Sequence, residues 1–186
     1  MTASETKTKE YPIERVLARV ATRPDALAAL RRGVGRPLDD APTSWPYVME
    51  VAAGSKSRED AAHVALGLFA LHQQSQTPGA INQSGWGLGR ACRSLKQRRS
   101  TKGSSADGIE RRFRAALGAE SLTALAVHLR GLVTLLRAES VPLDYARLYW
   151  DLSRWGNPDQ RDKVALRWAR DYFRLTTEDE RQEGTP

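Results

Sequence analysis

The run Ser121–Ala138, SLTALAVHLRGLVTLLRA, carries leucine or valine at Leu122, Leu125, Leu129, Leu132, Val133 and Leu136. Steps of three and four place these side chains along one side of a helix with about 3.6 residues per turn. Ser121 stands just ahead of the first of them, where a hydroxyl can accept a free backbone N–H of the opening turn. The run therefore reads as a capped amphipathic helix. A strand would need its apolar residues at every second position instead.

The same period recurs on both sides of this run. Upstream, Ile13, Val16, Leu17 and Val20 form one stripe, and Pro24 opens a second helix that runs through ALAALRR to Gly33. GVGRPLDDAPTSWP follows as a loop, and Pro46 starts a short helix that stops at Gly54. Ser57 with Asp60 three residues on is close to a capping box, ahead of Ala61, Val64, Ala65 and Leu68 in a helix reaching about Gln74. After the polar connector QSQTPGAINQSG, the residues Leu88, Ala91, Cys92 and Leu95 mark GLGRACRSLKQRR as helical, with Arg90, Arg93 and Lys96 on the opposite arc. STKGSSADG reads as a loop, and Asp107 with Glu110 as a cap for a helix whose inner side is Ile109, Phe113, Ala116 and Leu117.

Downstream, Pro142 is expected to stop the central helix and open the next, LDYARLYWDLSRW. Asn157 and Pro158 form a cap and first-turn pair for a last helix to about Leu175, on which Lys163, Arg167, Arg170 and Arg174 share a face. No segment alternates with period two. The expectation is an all-α protein of about eight helices in a compact bundle of two small lobes, 11–105 and 106–175, between flexible polar segments 1–10 and 176–186.

Catalytic chemistry finds little support. The single cysteine, Cys92, rules out an internal disulfide or a cysteine-cluster metal site, and it falls on an apolar stripe. His63 and His72 are nine residues apart in one helix and so point in opposite directions, while His128 reads as a helix-flank residue. No HExxH or Walker-type loop occurs, and the glycines at Gly33, Gly35, Gly85, Gly87 and Gly89 lack the preceding strand of a dinucleotide loop. Asp144 and Asp151, seven apart, read as helix-surface carboxylates. No enzyme activity, cofactor or metal is expected. The amino-terminal residues lack an apolar core and no run approaches a membrane span, so a cytoplasmic location is the expectation.

Charge is the informative property. The 186 residues hold 29 Lys or Arg against 22 Asp or Glu, a formal charge of +7. Residues 86–117 hold nine of those cations, Arg90, Arg93, Lys96, Arg98, Arg99, Lys102, Arg111, Arg112 and Arg114, against only Asp107 and Glu110. Outside that segment the charges balance, so the whole imbalance lies within it. Seven of the nine are arginine, whose planar fork of donors suits phosphate oxygens. The tryptophans fall among apolar helix positions and offer no base-stacking platform. Contact with nucleic-acid backbone, independent of sequence, is therefore expected, and a stand-alone helical DNA- or RNA-binding regulator is the alternative.

LGLFALH at 66–72, then LGRACRSL, IERRFRAAL, HLRGLVTLLRAESVPLDYARLYWDLSRW and RDKVALRWARDYFRL stand in this order along the chain. In order and spacing they resemble the small-subunit (CasB) family of the type I-E CRISPR Cascade effector, over about Leu30–Leu175. The resemblance implies a non-catalytic, two-lobed helical subunit, paired with a second copy of itself beside other Cascade subunits. It would hold crRNA and target DNA by their backbones and steady the displaced strand of the R-loop. Matching motif positions are Arg90, Arg93, Arg111, Arg112 and Arg130, with Arg58 at the start of the SKSRED helix. The RRSTKGSSADG stretch departs from shorter versions of the pattern at Arg98, Arg99 and Lys102.

Overall fold

Each apolar stripe in the sequence becomes the buried side of a helix in the computed structural model, which describes residues 12–52, 54–103 and 107–174. The α-helices are α1 (Pro12–Ala21), α2 (Pro24–Gly33), α3 (Trp45–Ala52), α4 (Lys56–His72), α5 (Leu88–Thr101), α6 (Asp107–Leu117), α7 (Leu122–Ala138), α8 (Tyr145–Leu152) and α9 (Pro158–Phe173). Two 3₁₀ turns, Leu38–Asp40 and Pro42–Ser44, tighten the loop between α2 and α3. Ser121 caps α7 by accepting from the Ala124 N–H, and Asn157 caps α9 by accepting from the Gln160 N–H. The flexible ends expected at 1–10 and 176–186, the last residue expected of α9, Leu175, and part of the STKGSSADG loop lie outside the described residues.

Helix α4 is the centre. From Ala61 to Ala70 it buries every residue except Val64, and a helix apolar on all sides has to be enclosed by others. It packs against α2, α3, α7 and α8. Helices α5, α6 and α9 join the same continuous core, which extends from Ile13 to Tyr172. Helix α5 approaches α9 through Gly89: a Cβ there would lie 2.1 Å from the Trp168 carbonyl oxygen. No described helix is long and apolar enough to cross a membrane.

Several details differ from the sequence reading, among them the STKGSSADG loop, whose Ser100 and Thr101 finish α5 and whose Asp107 and Gly108 begin α6. Helix α4 begins at Lys56, with Ser55 in the cap position and Ser57 inside the first turn. Glu59 accepts the Gly54 N–H, while Asp60 pairs with Lys56 instead of taking part in a capping box. Pro142 neither ends α7 nor opens α8. The buried side chains of Val141 and Leu143 hold an extended link there, and Asp144 caps α8 by accepting from the Arg147 N–H. The connector before α5 is stitched to this link, with Leu143 N donating to Ile81 O, Asp144 N to Trp86 O and Asn82 Oδ1 accepting from Tyr145 N. Its buried backbone groups are thereby paired.

Candidate nucleic-acid interface

The residues nominated from the sequence lie mainly on α5, α6 and α7, and they divide by what they touch. Around the end of α9, Arg93 Nη1 donates to the Arg174 carbonyl at 3.1 Å, and the Arg114 guanidinium sits 5.0 Å over the Phe173 ring. Glu110 links this group by accepting from Lys96 Nζ at 2.8 Å and from Arg114 Nη2 at 2.8 Å. Its sequence role as part of a cap gives way to these bonds. Lys96 and then Arg114 hold the Glu110 carboxyl below the usual carboxylate range.

A second group gathers where α7 ends. Glu139 accepts from Lys102 Nζ at 2.6 Å and lies 3.6 Å from Arg99 Nε, and its backbone carbonyl takes Arg98 Nη1 at 2.7 Å. The Lys102 ammonium chiefly, with Arg99 and Arg98, holds the Glu139 carboxyl low. These cations sit on the carbonyl end of α7, where the aligned peptide dipoles favour positive charge.

The remaining nominated residues carry no carboxylate partner among the described residues. Arg90 covers the Trp86 ring at 4.2 Å, a cation–π contact, and Arg112 donates to Gly108 O at 3.1 Å. Arg112 also lies against Gly131 of α7, next to the exposed Arg130. Arg111 is exposed on α6. Arg58 is exposed on the first turn of α4, close enough to Tyr149 to counter part of the upward shift that burial gives that hydroxyl. The eleven nominated cations thus share two carboxylates, and the surplus charge of the segment is real at the surface.

The groups read as catalytically idle have structural roles. Cys92 is fully buried, which drives its thiol pKa up. Asp144 accepts from two backbone N–H groups, of Arg147 and Gly85. Asp151 is buried and takes Arg167 Nη2 and Trp168 Nε1, so neither aspartate is the solvated carboxylate that the sequence suggested. Arg167 thereby leaves the cationic face expected on α9, while Lys163 and Arg170 stay exposed.

Not all five tryptophans are core residues as their positions implied. Trp155 and Trp168 are fully buried, but Trp45 is 44 % exposed and Trp86 and Trp150 are partly exposed. The sequence reading also passed over Arg147 and Arg154, which stand three before and four after Trp150 on α8 and its end. That spacing is legible in LDYARLYWDLSRW, where the apolar residues dominate the pattern.

The arrangement defines an all-helical protein that displays unneutralised arginines around a shared core. Residues 26–173 match the family described as CRISPR-associated protein Cse2. The CRISPR-associated protein Cse2 of Thermus thermophilus is 30 % identical over 151 residues, covering 80 % of this chain and 78 % of that one. The crystal structure of CasB from Thermobifida fusca has 30 % identity and a TM-score of 0.69, covering 87 % of this chain and 93 % of that chain. A chain of a CRISPR RNA-guided surveillance complex has 31 % identity and a TM-score of 0.72, covering 92 % and 94 %. The chain belongs to the Cse2 (CasB) family, as the order of its motifs implied.

Proposed function

We propose that this chain is a non-catalytic subunit of a crRNA-guided Cascade surveillance complex, in which the outward arginines of α5, α6 and α7 hold the phosphate backbone of the crRNA–target assembly and of the displaced strand. The observation that carries this reading is the ratio of eleven nominated cations to two partner carboxylates on a member of the Cse2 family. Arginines bound only to backbone carbonyls, such as Arg93, Arg98 and Arg112, keep their full charge and can exchange a carbonyl for a phosphate oxygen. In such machines base pairing reads sequence, and protein cations need only track the backbone. The exposed Lys163 and Arg170 of α9 belong, on this reading, to packing against a second copy or other subunits.

Co-expression of the tagged chain with the other Cascade proteins and a crRNA tests membership. The expected result is recovery of crRNA and several proteins together with it, and recovery of the chain alone would contradict it. The isolated chain should also bind single-stranded DNA with an affinity that falls steeply as salt rises. Binding indifferent to salt would defeat the phosphate-contact reading.

A further inference from the structure

Helices α4 and α7 pack on each other, and beside their contact runs a groove of about 490 Å³ that the turn after α2 closes on a third side. Its walls are mainly aliphatic: Val34 and Pro37 of the turn, Leu68 of α4, and Leu122, Ala126 and Val127 of α7. Val34 rests on α4 at Gly67, where an added Cβ would lie 3.0 Å from its Cγ2. Lys56 and Gly67, the outer lining residues on α4, stand about 16 Å apart along that helix, and Leu122 and Arg130 on α7 about 12 Å. Val127 is 68 % exposed, more than any other large apolar side chain among the described residues. An open apolar strip of two to three helical turns with a polar rim is the mark of a contact site for another protein.

Charge says which kind of segment fits. Arg36, Lys56 and Arg130 line the groove with a single carboxylate, Asp60. Lys56 is neutralised, its Nζ lying 2.6 Å from Asp60 Oδ1 and 4.0 Å from Asp39, which stands outside the groove. Arg36 and Arg130 are exposed and have no carboxylate partner among the described residues. The Arg36 carbonyl accepts from His63 Nε2 at 3.0 Å, which fixes the backbone from which that side chain springs. Arg130 Nη1 lies over Gly35, 3.3 Å from where a Cβ would stand. Two unpaired guanidiniums therefore flank the apolar strip.

An amphipathic helix with apolar side chains at i, i+3 or i+4 and i+7 and carboxylates on its flanks satisfies both features. A nucleic-acid strand satisfies only one: it could reach the arginines, but no Trp, Tyr or Phe lines the groove for a base to stack on. We propose that the α4–α7 groove docks an acidic amphipathic helix of another protein, with its apolar residues against Leu122, Ala126 and Val127 and its carboxylates on Arg36 and Arg130. Arg130 stands where the groove meets the α6–α7 surface, since Arg112 lies against the neighbouring Gly131, and it can serve either ligand. Arg36 serves the groove alone. This contact is separate from the holding of phosphate and does not depend on it.

The test uses the full chain and two fluorescein-labelled helical peptides that share leucines at i, i+3, i+4 and i+7, one flanked by glutamates and the other by lysines. Fluorescence anisotropy should show the acidic peptide bound at least about tenfold more tightly than the lysine peptide. Val127→Gln, a neutral change to a better helix former at an open position, should weaken the acidic peptide by about tenfold and leave single-stranded DNA unchanged. Arg36→Glu should weaken the acidic peptide and strengthen the lysine one. Arg111→Glu with Arg112→Glu should do the reverse of Val127→Gln, weakening DNA and sparing the peptide. Failure of the acidic peptide to bind, equal binding of the two peptides, or acidic-peptide binding that Val127→Gln leaves unchanged overturns the groove. So does a loss of DNA binding on Val127→Gln, which would make the groove a nucleic-acid site. If the peptide results hold while the chain binds no DNA, the groove stands and the phosphate-contact reading fails.

Discussion

His72 is fully buried at the end of α4, with Nδ1 2.9 Å from the Tyr145 hydroxyl, which in turn lies 3.3 Å from the Leu68 carbonyl. Burial foremost, with the nearby Arg137 charge, lowers its pKa to about 4. In the unfolded chain an imidazole titrates near 6.5, so as the pH falls below that value the unfolded state gains a proton that the folded state refuses. Stability contributed by the neutral ring is therefore complete above about pH 6.5 and drains away toward pH 4, by about 3 kcal/mol in all. Urea midpoints measured across that range should fall with pH, and His72→Leu should flatten the slope. The sequence placed His63 and His72 in opposite directions, which would send one to solvent if α4 had a single inner face. Both are buried because helices pack on α4 from several sides, and the sign of it in the sequence was the absence of a polar arc between Ala61 and Leu71.

Most helices were legible because the period of their apolar residues and their caps act within one turn and require no knowledge of neighbours. What escaped was set by contacts between elements. Gly89 gives no sequence signal beyond a glycine without a preceding strand, yet its role is to let α5 meet the backbone of α9: a Cβ would lie 2.1 Å from Trp168 O and 2.8 Å from Asp171 Cβ. The carbonyl belongs to a helix and cannot rotate aside as a side chain can, so the two helices would have to separate. Gly89→Ala should cost about 2–3 kcal/mol in denaturant unfolding, although alanine is the better helix former. An unchanged midpoint would mean that the α5–α9 contact yields without cost. The extended link through Val141 and Leu143 escaped for the same reason. Pro142 is a local signal for a helix start, but the core claims the residues on either side of it, and α8 waits for the Asp144 cap.

At the scale of the whole molecule, counting charges located the basic surface, and the order of motifs located the family. Counting did not reveal that Glu139 would reach from the end of α7 to Lys102 and Arg99, or that Glu110 would turn from its own helix cap to Lys96 and Arg114. These pairs leave α6 with Arg111 and Arg112 as its least neutralised cations, one exposed and the other donating only to a backbone carbonyl. Replacing them should therefore leave the fold intact and act on the bound strands. The most direct measurement is the lifetime of the R-loop formed by the assembled complex carrying Arg111→Glu with Arg112→Glu, compared with the unmodified complex at the same salt concentration. The expected lifetime is shorter by at least about tenfold, with the difference shrinking as salt rises. An unchanged lifetime in a complex that still assembles would contradict it.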